Sequence, residues 1–158
     1  MIGTVMGTGY LIPAPGTWGS LVALPMAWVF HTVGGLPLLV LATLAAFAKG
    51  WWATAQMTAG QTDHDPSEIV VDEVVGQWIA LLPLSYAAWS MESSILVMWP
   101  GGIAAFALFR LFDIWKPGPV GWADRRGDAL GVMLDDVIAG VFAAIGVLAL
   151  AGLYHGVL

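Results

Sequence analysis

The sequence predicts an all-α integral membrane protein, a single compact bundle of about five helices with a polar site facing the cytoplasm. Three observations carry that prediction. Of 158 residues, 59% are hydrophobic and only 10% are charged, against roughly 25% charged in ordinary soluble domains. Residues 1–48, 74–91, 93–109 and 137–158 contain no Asp, Glu, Lys or Arg, and each window is near or above the roughly 17 to 25 residues that a helix needs to cross a bilayer. The charges that remain gather between those windows, and mean hydropathy is +0.83.

Apolar stretches punctuated by Gly, Pro and charge predict helices over 17–33, 36–58, 66–83, 93–115 and 131–154. Gly34, Gly35 and Pro37 predict a tight turn between the first two. Asp65, Pro66 and Glu68 fit an N-cap, a first-turn proline and a capping-box glutamate, so the third helix is expected to begin near 66. Asp72 and Glu73 would then lie about 10 Å along it. In the fourth, "MWPGG" places Pro100, Gly101 and Gly102 inside the pattern, which allows a start near 101 with 84–99 as an interfacial segment. One domain is expected over 1–158. The first residues lack a basic region and are broken by Gly and Pro, so no cleavable signal peptide is expected. The absence of cysteine excludes disulfides, thiolate metal sites and a Cys nucleophile. A net charge of −6 disfavours nucleic acid as a partner.

Five crossings, with the N-terminus on the side of the charged loops, put Lys49, Asp63, Asp65, Glu68, Lys116, Arg125 and Arg126 on one face and leave Glu92 alone opposite. The positive-inside tendency makes the crowded face cytoplasmic. Trp18, Trp51, Trp52, Trp115 and Trp122 are interface candidates near it.

Three acidic clusters fall at equivalent depth: Asp72 with Glu73, Asp113, and Asp135 with Asp136. Ionisable groups in membrane segments are costly and usually mark function. Five converging carboxylates repel, and a hard divalent cation such as Mg²⁺, which takes oxygen ligands, would relieve that repulsion. The plainer alternative is helix-end charges paired with nearby Arg and Lys. Arg110, Asp113 and Lys116 recur at i, i+3, i+6 on one side of a helix end; they fit a phosphate clamp or an internal ion-pair ladder equally well. Arg125 and Arg126 read as ordinary interfacial anchors. In "IPAPGTWGS", Thr17 and Ser20 precede a helix, and Gly16 and Gly19 would let backbone N–H groups approach an anion, although a plain N-cap role for Thr17 is the simpler reading. His64 reads as a solvated loop histidine sooner than a general base, and His31 and His155 carry no role. Without a Cys-x5-Arg, G-x-S-x-G or aspartyl-nucleophile motif, oxygen ligands plus cations suit metal-assisted displacement at phosphorus. An ion or proton-coupled carrier and an inert structural subunit remain open on these residues alone.

"APGTWGS" at 14–20, "DHDPSEIVVDEVVGQWI" at 63–79, "FRLFDIWKPGPV" at 109–120 with Asp124 and Arg125 after it, and "GVMLDDVIAG" at 131–140 together resemble the phosphatidylglycerophosphatase A family, in that family's order and over nearly the whole chain. The resemblance implies an all-α, Mg²⁺-dependent phosphatase of the bacterial inner membrane. Its substrate would be a phospholipid in the bilayer: it would remove the terminal phosphate of phosphatidylglycerophosphate to give phosphatidylglycerol. It points to Thr17, Ser20, Arg110 and Lys116 as phosphate-binding, and to Asp72, Glu73, Asp113, Asp135 and Asp136 as catalytic. On this reading Asp72, Glu73, Asp135 and Asp136 hold one or two Mg²⁺, and either water or an aspartate attacks phosphorus. One stretch departs: Asp128 and Ala129 stand where the family often has a glycine pair, so the shape of the last loop is open.

Overall fold

In the computed structural model, which describes residues 14–58 and 70–157, every regular element is helical. The first two expected helices are the arms of one element, α1 (Pro15–Thr58), broken where Gly34 (φ −145°, ψ 16°) and Gly35 (φ 64°, ψ −157°) leave helical geometry. Gly35 takes a left-handed φ that a residue with a Cβ resists. There the chain folds back, because Gly35 packs on Trp89 at one end of α2 (Val71–Ser90) whereas Gly50, in the returning arm, packs on Val71 at the other. The expected turn at Gly34, Gly35 and Pro37 is this hairpin.

Two boundaries need correction. α2 begins at Val71 and not near 66: Val70 is non-helical (φ −135°, ψ 10°) and fully buried against Gly19 of α1, so tertiary packing sets the start. Asp72 and Glu73 therefore stand in the first turn, not about 10 Å along. The cap signals at Asp65, Pro66 and Glu68, with Asp63 and His64, lie outside the described residues. α2 also continues through Pro83 to Ser90, so 84–90 is helix and not an interfacial segment. A 3-10 turn, Ile95–Met98, leads into α3 (Trp99–Trp115), which has Pro100 in its first turn, close to the start expected near 101. A short α4 (Pro119–Asp124), not expected from the pattern, precedes α5 (Ala129–Val157).

The first arm of α1 and α2 run side by side in step: Trp78 Nε1 donates to the Ala23 carbonyl (2.9 Å), and His31 hydrogen-bonds with Ser85 (2.7 Å). α5 follows the same direction, with Val132 and Met133 against Val71 and Val75, and Ala139 and Ala143 in the cluster that holds Val74 and Trp78. The starts of α1, α2 and α5 and the end of α3 consequently meet at one end of the bundle. The charged residues described lie there, save Glu92 in the turn after α2. α1, the segment Ile95–Trp115 and α5 are long and apolar enough to cross a membrane. Exposed Trp18, Trp51, Trp52, Trp115 and Trp122 surround the charged end, and Tyr86, Trp89 and Trp99 the other, the places that interfacial aromatic belts occupy.

Candidate active site

Two glycines bring the acids together. A Cβ on Gly140 of α5 would lie 3.0 Å from the Cα of Gly76 in α2, and one on Gly76 would lie 2.6 Å from the carbonyl oxygen of Asp136. No side chain fits at that crossing, and small residues are what let membrane helices approach backbone to backbone. Asp72 precedes Gly76 by four residues and Asp136 precedes Gly140 by four, so each carboxylate shares its glycine's face. The crossing thus carries the two aspartates against each other one turn away.

Asp72, Glu73 and Asp136 offer carboxylate oxygens that all lie within 4.8 Å of one another. Asp72 and Asp136 are buried, and Asp72 Oδ1 accepts the Glu73 amide at 3.0 Å. Glu73 Oε2 and Asp136 Oδ1 are buried without a hydrogen-bond partner. Uncompensated buried charge costs on the order of 3–5 kcal/mol, so carboxylates this close need their charge offset.

The first turn of α1 closes over the group. A Cβ on Gly16 would overlap Glu73 Oε1 and lie 3.2 Å from Arg110 Nη1; only a glycine lets the helix start sit on both. α1 begins at Pro15, so Thr17 is inside the first turn, half-buried, its amide donating to the Ala14 carbonyl at 3.0 Å. That corrects its reading as an N-cap: proline's fixed φ suits the first helical position and draws the start two residues forward. Ser20 is fully buried and donates to the Gly16 carbonyl (2.9 Å), bracing its own turn. Gly19 packs on Val70. Of this block, Gly16 lies nearest the acids.

On α3, Arg110 Nη1 stands 2.5 Å from Asp113 Oδ2 as an ion pair without hydrogen-bond alignment, and Arg110 Nε is buried with no partner. Asp113 also comes within hydrogen-bonding reach of Asp136. Lys116 does not continue that side of the helix. It terminates α3 in left-handed geometry (φ 50°, ψ 54°), which swings its side chain toward α4 and α5, where Nζ donates to Asp135 Oδ2 (2.9 Å) and to Asp124. Burial opposes its charge, but the hydrogen bonds to Asp124 and Asp135 outweigh that and hold the ammonium above the usual lysine range. Asp135 thereby has one oxygen on Lys116 and the other on the Asp136 amide (2.9 Å); it borders the three-acid group without joining it.

The last loop has a different solution from a glycine pair. Asp128 caps α5 by accepting the Gly131 amide (2.7 Å), Gly127 makes the preceding turn at φ 65°, and Arg126 donates to Asp128 at 3.0 and 3.2 Å. The hydrogen bond from Arg126, then that from Gly131, keep the Asp128 carboxyl below its ordinary range. Arg126 also lies over the Trp122 ring, 5.7 Å from its centre. Two features escaped sequence reasoning. Asp124 as partner of Lys116 depends on the unexpected α4, whereas the aspartate-x3-glycine spacing shared by 72/76 and 136/140 was visible as a pattern.

The phosphatidylglycerophosphatase A family matches residues 1–151. The chain belongs to that family. Among its relatives, a Haemophilus influenzae phosphatidylglycerophosphatase A is 36% identical over 145 residues, covering 91% of this chain and 83% of that protein. The Escherichia coli phosphatidylglycerophosphatase A is 34% identical over 139 residues, 87% and 74% of the two chains. A Bacteroides thetaiotaomicron protein provisionally named a phosphatidylinositol-3-phosphatase is 39% identical over 155 residues, 92% of this chain and 88% of its own. No solved structure matches the chain. Family membership, with the long apolar helices, makes this a membrane-embedded lipid phosphatase and sets aside the carrier and inert-subunit readings.

Proposed function

We propose that this chain is a Mg²⁺-dependent phosphatase, one domain over 1–158, that removes the terminal phosphate of phosphatidylglycerophosphate at the cytoplasmic face of the bacterial inner membrane. The observation that carries the metal reading is the convergence of Asp72, Glu73 and Asp136 within 4.8 Å with buried oxygens on two of them unpartnered. The donor set is all carboxylate, and hard Mg²⁺ fits such a set better than metals that prefer thiolate or imidazole. Asp72, Glu73 and Asp136 would hold it, with Asp135 able to join by exchanging Lys116 for the metal. Bound Mg²⁺ would supply the charge that lets these acids ionise together and would polarise a phosphoryl oxygen.

The remaining roles belong to the chain. Arg110 offers its unpartnered Nε to the phosphate while Asp113 fixes the guanidinium. Lys116, held by Asp124 and Asp135, supplies a second cation. The start of α1 at Gly16 and Thr17 brings the positive end of a long helix toward the same anion, and Ser20 stiffens that turn. The attacking oxygen, from water or from an aspartate, approaches from the carboxylate side, opposite the leaving alcohol. The basic residues Lys49, Lys116, Arg125 and Arg126 at the site end favour the cytoplasmic orientation.

The test is inorganic phosphate release from phosphatidylglycerophosphate in detergent micelles, with Mg²⁺ and with excess EDTA, and phosphatidylinositol 3-phosphate run alongside. Release from the first lipid that EDTA abolishes is expected. Equal release with EDTA overturns the metal assignment, and faster release from the inositol lipid overturns the substrate.

A further inference from the structure

A groove runs up the bundle from the candidate site. It lies between Leu21–Trp28 of α1 and Trp99–Phe106 of α3, with α2 beneath at Leu81 and Leu84 and the 3-10 turn Ile95–Met98 also lining it. Leu21, Leu24 and Trp28 form one wall, Ile103 and Phe106 the other, and buried Leu84 the floor, around a cavity of about 320 Å³. Its lining is apolar throughout.

Position sets this groove apart from the rest of the apolar surface. Phe106 precedes Arg110 by one turn on α3, and Leu21 lies five residues beyond Gly16 on α1, so the groove opens within about 6–8 Å of the guanidinium and helix start that meet at Glu73. From Leu21 to Trp28 and from Phe106 to Trp99 it extends seven residues, or about 10 Å. The three elements of the Gly16–Glu73–Arg110 contact, α1, α2 and α3, also line the groove, together with the 3-10 turn Ile95–Met98. Resting on the phosphatase reading above, we propose that this groove is the binding site for one acyl chain of the lipid substrate, so that a chain seated between α1 and α3 sets the headgroup phosphate against Arg110 and the acids. An occupant that is apolar along its length and anionic at the site end matches both surfaces.

Gly102 provides the test. It lines the groove, and a Cβ there would meet nothing within 4 Å, so the side chain of Gly102→Leu starts in open space at the groove wall, narrows the groove and raises helix propensity. Gly152 on α5, equally open and outside the groove, supplies the control, Gly152→Leu. In nanodiscs, kcat/KM for long-chain phosphatidylglycerophosphate should fall about tenfold in Gly102→Leu, equivalent to about 1.4 kcal/mol, while hydrolysis of a dihexanoyl analogue and the Tm stay at the wild-type level and Gly152→Leu is unaffected. A long-chain rate equal to wild type, or an equal fall for both chain lengths, overturns the proposal. A second readout needs no turnover: phosphatidylglycerophosphate carrying a diazirine on its acyl chain, in excess phosphatidylcholine, should crosslink mainly to 21–28 and 99–106, and lose those crosslinks in Gly102→Leu. Crosslinks spread evenly over the lipid-facing helices overturn the groove. Concentrated crosslinks without phosphate release overturn the phosphatase reading and leave the groove standing.

Discussion

Gly140→Ala is the most exacting perturbation of the proposed metal site, because it touches none of the acids. The new Cβ would lie 3.0 Å from the Cα of Gly76, and closer still to its carbonyl oxygen. Carbon atoms in good contact lie about 3.5–4.0 Å apart, so α2 and α5 must separate by roughly 0.5–1 Å at the crossing, and backbone cannot rotate aside as a side chain would. Asp72 and Asp136 stand one turn away on the same faces. They move with their helices, opening a group whose oxygens now lie within 4.8 Å. Mg²⁺ demands ligands near 2.0–2.1 Å in octahedral geometry, and a misplacement of about 1 Å at a reacting centre costs about 10²-fold in rate. The fold itself suffers little, since overpacking of about 1–3 kcal/mol is partly offset by the roughly 1 kcal/mol that alanine gains over glycine in a helix. Phosphate release should therefore drop about 100-fold, with a raised Mg²⁺ requirement and a Tm within a few degrees of wild type. Wild-type rate and Mg²⁺ dependence in Gly140→Ala would refute the crossing as the device that assembles the acids.

Asp72→Asn and Asp136→Asn should each abolish phosphate release yet raise thermal stability in EDTA, since each removes a repelling buried carboxylate; an active Asp72→Asn protein sinks the metal assignment. Gly16→Ala should lower kcat/KM by about 10²-fold by pushing Glu73 and Arg110 from the start of α1, measured by phosphate release at saturating Mg²⁺. Lys116→Ala should chiefly raise KM. Because the folded pKa of Lys116 is raised, its ionic contribution is complete below the ordinary lysine pKa and is lost only as pH rises through the higher folded value; Lys116→Ala should thus still differ from wild type at pH 10, and coinciding pH profiles there would remove the clamp. Asp128→Ala should cost about 1 kcal/mol through the lost α5 cap. With its folded pKa lowered, that stabilisation is present above the ordinary aspartate pKa and fades as pH falls through the folded value, which urea unfolding at pH 7 and pH 3 reads directly.

Much of the fold was legible because membrane helices announce themselves by composition. Uncharged windows marked the long apolar helices, Gly34 and Gly35 marked the hairpin, and the grouping of charges marked one polar end. The start of α2 was misplaced because Val70 is held by contact with Gly19, and a cap pattern carries no information about such a contact. Among site residues, the acid doublets and Arg110 were readable as intramembrane charges that need a reason to exist. The separation of Asp135 from Asp136 was not, since adjacent residues on a helix point about 100° apart and only the fold says which direction holds Lys116.

The sequence by itself determined that the chain is a helical membrane protein with carboxylates and cations at one end, because burial in lipid is an additive property of each residue's side chain. Tertiary structure alone decided which carboxylates meet, that Gly16 and not Ser20 touches them, and that Lys116 leaves the side it shares with Arg110. Those outcomes depend on how closely two backbones approach and how a helix ends. Both are set by contacts between residues far apart in the chain, as where Gly76 meets Gly140.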